Sequence, residues 1–216
     1  MKEKTSHDKE AQDKFNQLLN SLKENREKIK QLQYKTIQTN VQISDTDLYE
    51  LETLASRDPS TNLLNYKSFV KRLDYEIKRA KRYRRPVALI VLSIDNVEAI
   101  AKALGVDIVE DLYRQLAIIL EKQIRDIDVA ARIRYDRLAV FLPETYGSRA
   151  KVVAQRIVNK INNKSILVNH PDKTFTASCG VTAFPSHSRE VDGLIAQGIV
   201  FLNIAQKNGG GNVEYQ

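Results

Sequence analysis

Apolar side chains in the first 43 residues fall on alternating three- and four-residue steps: Phe15, Leu18, Leu22, Ile29 and Leu32, with Asn25 at the remaining seam position. This spacing draws one narrow stripe along a helix. The segment contains no Gly or Pro and is rich in Lys, Glu, Gln and Leu, which suits a long helix. A polar seam residue such as Asn25 fixes register in a coiled coil at some cost in stability. The stripe gives way to Thr36 and Thr39. Residues 1–43 are therefore predicted as a helical extension that pairs with a second copy. The alternative is a lone amphipathic helix docked on its own domain or on another protein. Ser44-Asp-Thr-Asp47 supplies capping oxygens for a short connecting helix over 44–56, carrying Leu48, Leu51 and Leu54.

From residue 57 the period alternates. A helix is predicted near 65–83 with Phe69, Leu73, Ile77 and Ala80 turned inward, followed by an apolar, β-branched strand over 87–92. Helices near 96–104 and 107–123 precede a hairpin over 128–142, in which two apolar runs flank the polar turn Arg134-Tyr135-Asp136-Arg137. A helix near 147–162, a strand over 174–182 and a helix near 189–207 complete the pattern, and Asn208-Gly-Gly-Gly211 stops the last helix. Such alternation with an adjacent hairpin predicts an α/β (α+β) domain over 57–216, a mixed central sheet flanked by helices.

Composition narrows the class. With 42% hydrophobic residues and five prolines among 216, the chain can bury a core, which excludes global disorder. No apolar run is long enough to span a bilayer and no signal-peptide core is visible, so a cytoplasmic protein is expected. The single Cys179 lies in an apolar run and implies neither disulfide nor metal. His7, His170 and His187 are dispersed, without metal-ligand spacing, and no cofactor is expected. Ser178 and Cys179 have no neighbouring base, which argues against a nucleophile. Much of the net charge of +7 comes from residues 71–85. That run would attract nucleic acid, anionic lipid or a phosphorylated ligand, or simply form a solvated helix face. It lacks interleaved aromatic and basic residues, so no specific nucleic-acid binding is expected.

Five blocks stand in a telling order: Asp58-Pro-Ser-Thr-Asn-Leu-Leu-Asn65, Pro86-Val-Ala-Leu-Ile-Val-Leu-Ser-Ile-Asp95, Asp128-Val-Ala-Ala-Arg132, Phe141-Leu-Pro-Glu-Thr145 and Ala177-Ser-Cys-Gly-Val181. Together they resemble the GGDEF (diguanylate cyclase) family over residues 52–213. The resemblance implies a nucleotidyl-cyclase-like sheet. In active members it implies condensation of two GTP molecules into cyclic di-GMP, with divalent metal neutralising the triphosphates.

Several matching positions depart from the family. Arg134 and Tyr135 replace the two turn glycines, Asp136 keeps the third-position acid, Arg137 replaces the fourth, and Leu138 fills the fifth. Side chains at 134 and 135 are expected to change the turn and obstruct the nucleotide, because adjacent glycines permit positive φ and close approach. Ser93 stands where the family carries a metal-binding acid at the end of the first strand. Ala101 replaces a guanine-reading asparagine, and Glu110 matches the acid after it. Gln206 and Gly210 replace phosphate-contacting Lys and Arg. A cation at Arg137 further disfavours Mg²⁺. By resemblance, Arg125-Asp126-Ile127-Asp128 and Arg156 match the family's inhibitory product site, where Arg forks onto guanine or phosphate and Asp accepts from guanine N–H groups.

The sequence thus predicts a catalytically inactive signalling protein that acts by binding, as a homodimer through its N-terminal helix. Its ligand is either cyclic di-GMP at Arg125, Asp128 and Arg156, or a protein partner docked on exposed Arg134, Tyr135 and Arg137 and the basic helix. A residual diguanylate cyclase is the distant alternative.

Overall fold

A computed structural model describes residues 55–162 and 174–216. The predicted coiled-coil extension, nearly all of the connecting helix and His170 lie outside the described residues. The elements run β1 (Leu64–Asn65), α1 (Tyr66–Tyr83), β2 (Val87–Ile94), α2 (Val97–Leu104), α3 (Val106–Glu121), β3 (Val129–Arg134), β4 (Arg137–Pro143), α4 (Gly147–Asn162), β5 (Ala177–Phe184), α5 (Val191–Lys207) and β6 (Val213–Glu214).

The strands form one mixed sheet in the order β1-β3-β4-β2-β5-β6. β2 is central and antiparallel to both β4 and β5, and all eight of its residues are buried. Period-two alternation divides them between two cores. Ala88, Ile90, Leu92 and Ile94 face the core shared with α2, α3 and α4, which contains Leu112, Leu116, Ala154 and Ile157. Val87, Leu89 and Val91 face the core of α1 and α5, which contains Phe69, Leu73, Ile77 and Leu202. The predicted inward residues of α1 are all buried, and Glu76 is buried with them. Asn65 caps this helix, its side chain accepting from the Ser68 N–H at 3.0 Å.

The strand predicted at 174–182 is observed at 177–184. Its partner explains the shift: Ala177 pairs with Ile94 and Phe184 with Val87, so β2 sets both ends of the ladder. The two-residue strands β1 and β6 are too short to produce a readable period. α5 packs directly on β5, where a Cβ at Gly180 would lie 2.1 Å from the Gly198 carbonyl oxygen and 2.4 Å from Leu202 N. That backbone approach carries the end of α5 to the end of β2 where the hairpin turn lies.

Candidate functional site

The β3–β4 turn is closed by the Arg134–Arg137 pair, with a register shift between Arg132 and Arg134. Tyr135 and Asp136 form its tip, and neither has positive φ. The residues that replace glycine thus sit in a turn that tolerates a Cβ. Arg134 lies over the Tyr135 ring at 5.2 Å and places Nε 3.2 Å from Asp136 Oδ1. Arg137 Nε lies 3.8 Å from Asp136 Oδ2. Arg134 and Tyr135 are exposed, whereas Arg137 is half-buried. The expectation of an exposed Arg137 is therefore corrected: the attraction of Asp136 folds it back onto the turn. Asp136 Oδ1 is buried and has no aligned hydrogen-bond donor, despite the nearby guanidinium.

At the end of β2, the Ser93 hydroxyl lies 3.0 Å from the Ile94 carbonyl oxygen and 3.2 Å from Tyr113 Oη. Tyr113 comes from α3 and is fully buried. Its hydroxyl accepts from the Ile94 N–H at 3.3 Å and donates to the Asp136 carbonyl. Burial pushes the phenol up to about 12, so it stays a neutral donor. One side chain thereby ties the end of β2 to the signature turn.

A cavity of about 510 Å³ opens here, lined by Ser93, Asp95, Lys102, the 135–137 turn, Gln206 and Gly210. Asp95 Oδ2 accepts from Gly211 N–H at 2.8 Å. Gly210 has φ +72°, and a Cβ there would lie 2.7 Å from Asp95 Oδ2, so glycine serves close packing at that position. Ala101 packs against the α2–α4 core. Glu110 is held by a fork from Arg132, with both contacts at 2.8 Å, and by the Ser60 hydroxyl at 2.7 Å. Hydrogen bonding from Arg132 holds its carboxyl below the usual range. Both of its oxygens are thus engaged within the fold.

A divalent cation of the kind the family uses needs converging carboxylate oxygens. Here Asp136 is flanked by two guanidiniums, and the Ser93 hydroxyl is engaged with Tyr113. No cluster of three or more His, Cys, Asp or Glu side chains capable of holding a metal ion occurs among the described residues. The carboxylates that line the cavity, Asp95, Glu98 and Asp136, do not gather into such a cluster, so this donor set does not fit Mg²⁺.

The second group of predicted residues lies near the opposite end of the sheet. Asp128 has a nearly inaccessible side chain and accepts from Arg125 backbone N–H at 2.8 Å, Nε at 3.3 Å and Nη2 at 3.2 Å. Arg125 also donates to the Thr145 hydroxyl at 2.9 Å, yet its side chain remains 58% exposed. Arg156, on α4, donates to the Gln123 carbonyl, two residues before Arg125. The fold gathers Arg125, Asp128 and Arg156 around the loop that leaves α3, where Asp128 also stabilises the loop itself.

Tyr113 and Arg132 escaped the sequence reading. Their signal was chemical: a tyrosine on the buried face of a helix and an arginine within an apolar strand each need a polar partner. Neither residue type reveals which partner it will find.

The profile described as "Diguanylate cyclase, GGDEF domain" matches residues 55–212. The probable diguanylate cyclase DgcE of Escherichia coli is 27% identical over 163 residues, covering 76% of this chain and 15% of DgcE. The response regulator PleD of Caulobacter vibrioides is 30% identical over 132 residues, covering 60% of this chain and 29% of PleD. The chain thus spans less than a third of the length of these two relatives. Among solved structures, the GGDEF domain of DgcB from Caulobacter crescentus, in complex with c-di-GMP, aligns with TM-score 0.67 and 22% identity, covering 74% of this chain and 92% of that one. The diguanylate cyclase SiaD of Pseudomonas aeruginosa, in complex with its activator SiaC, aligns with TM-score 0.72 and 21% identity, covering 95% of this chain and 78% of that one. The order of elements, the hairpin beside the end of β2 and the profile match over most of the chain lead to one conclusion: this protein belongs to the GGDEF family.

Proposed function

We propose that this chain is a catalytically inactive GGDEF signalling protein that acts by binding cyclic di-GMP. One observation supports the inactive part of this reading: both positions that match the family's metal ligands are engaged by other side chains. Asp136 is bracketed by Arg134 and Arg137, and Ser93 is tied to Tyr113. A triphosphate would meet no divalent charge there to activate the attacking oxygen. Arg125, Asp128 and Arg156 meanwhile stand together, with Arg125 largely open to solvent. An arginine there can exchange its Thr145 contact for a phosphate or guanine edge, and Asp128, now covered by Arg125, accepts from guanine N–H groups once that arginine swings onto the ligand. DgcB, a structural relative, was solved with c-di-GMP bound to its GGDEF domain. The N-terminal helix pairs two copies, and ligand changes the geometry of that dimer.

Calorimetry tests the binding. Cyclic di-GMP is expected to bind wild type at micromolar concentration and to lose that affinity in Arg125→Ala; no heat with wild type at high concentration sinks the receptor reading. Turnover of GTP with Mg²⁺ that disappears in Asp136→Ala would overturn the inactive assignment. Light scattering after deletion of residues 1–43 tests the dimer, and a persistent dimer counts against the helix.

A second reading, an adaptor that binds no nucleotide, is favoured by the exposed Arg134–Tyr135 stack at the hairpin tip. Such Arg and Tyr residues are enriched at protein interfaces. SiaD, solved with its activator SiaC, is a structural relative bound to a protein partner.

A further inference from the structure

A separate cavity of about 460 Å³ lies where β2 begins and β5 ends, and it is lined by Lys81, Arg84, Arg85 and Arg189. β2 runs from Val87 to Ile94, so this cavity and the one at the hairpin are separated by about 20 Å at ~3.3 Å per residue. Lys81 pairs with Glu190 at 3.1 Å, both side chains being well exposed. Arg84, Arg85 and Arg189 have no acidic partner among the described residues. Some arginines of the domain are paired, Arg79 with Glu76, Arg125 with Asp128 and Arg132 with Glu110.

Like charges around one cavity repel, and a multivalent anion between them removes that cost. Guanidiniums favour phosphate in particular, because their planar forks match its oxygens. Arg84 closes α1 in a left-handed conformation, φ 52° and ψ 43°, where a helix commonly ends on glycine. The cavity is not only basic. Phe184, which is buried, and Tyr146, which is exposed, also line it and offer ring surfaces. Its size falls within the ~300–1,000 Å³ typical of small-molecule sites, and it is concave, which suits a compact ligand better than an extended acidic peptide.

We propose that this cavity is a second ligand site, for a small molecule that carries a di- or triphosphate on a planar ring. Arg84, Arg85 and Arg189 hold the phosphates, and Tyr146 or Phe184 meets the ring. The site needs no metal.

Calorimetry on the full chain, in EDTA, with ADP, adenosine and pyrophosphate as probes, tests this. ADP is expected to bind more tightly than pyrophosphate, adenosine to give no heat, and ADP affinity to fall as salt rises. Arg84→Ala and Arg189→Ala each lower ADP affinity about tenfold, in line with loss of a charge-assisted hydrogen bond. The helix-face variant Arg72→Ala leaves it unchanged. The altered side chains are exposed, and circular dichroism verifies that each variant is folded. The proposal is overturned by absence of ADP binding at millimolar concentration, or by equal weakening in Arg72→Ala. A hexaglutamate peptide that binds where ADP does not would also overturn it, in favour of a protein partner.

Discussion

Tyr113→Phe isolates the oxygen that joins β2 to the signature turn. The ring stays, so the packing of α3 on the sheet is retained; only the hydroxyl is lost. Its removal deprives the buried Ile94 N–H of an acceptor 3.3 Å away and the Asp136 carbonyl of a donor. It also removes the neighbour 3.2 Å from Ser93. An ordinary hydrogen bond contributes about 1 kcal/mol net, and an orphaned buried donor costs about 1–3 kcal/mol, so a loss of about 2–3 kcal/mol is expected. For a domain of this size that lowers Tm by about 5–10 °C. The chain has no Trp, so urea and thermal unfolding are followed by far-UV circular dichroism. pH supplies a second arm. The folded phenol is raised from 10.0 to about 12, so its contribution is fully present below pH 10 and is lost as pH rises through 12. The stability gap between wild type and Tyr113→Phe should therefore narrow across that window. A gap below about 0.5 kcal/mol at pH 7, smaller than one ordinary hydrogen bond, would refute the reasoning. So would a gap that stays constant up to pH 12.

Two other perturbations probe the frame that holds the hairpin. Arg132→Met leaves Glu110 without its fork and the Tyr135 carbonyl without a donor, and is expected to cost about 3 kcal/mol, the low end for breaking a buried pair because Glu110 is partly exposed. Glu110 is held below its normal range in the fold, so its contribution is present above the unfolded carboxylate pKa and lost as pH falls through the folded one. Acid titration of stability should be shallower in Arg132→Met, and identical acid limbs would count against the pairing. Gly180→Ala forces a Cβ against the Gly198 carbonyl and Leu202 N, parting α5 from β5 at a cost of about 3 kcal/mol or more, and an unchanged urea midpoint would contradict that contact.

Much of the fold was legible because burial imposes a period. The stripe Phe69, Leu73, Ile77 and Ala80 on α1 and the apolar run of β2 announce their elements, and both are buried as expected. Strand ends were less legible, since the limits of β5 are set by pairing with β2 rather than by its own residues. The candidate sites divide in the same way. Substitutions at Ser93 and Arg137 were visible in the sequence, but the direction of Arg137 was not; the pull of Asp136 turns it inward. Arg125 and Asp128 were readable as a local motif, and their mutual hydrogen bonds span three residues.

The sequence by itself determined the family, the order of the longer elements and which chemical groups stand at each signature position. Those follow from side-chain identity and local periodicity. Only the tertiary structure decided what engages these groups. Tyr113 meets Ser93 across 20 residues, Arg132 meets Glu110 across 22, and Lys81 and Arg189 reach one cavity from α1 and the β5–α5 connection. The physical reason is that a buried polar group must find a partner and surface charges must settle into a common field. Neither condition is met until the sheet brings distant segments together.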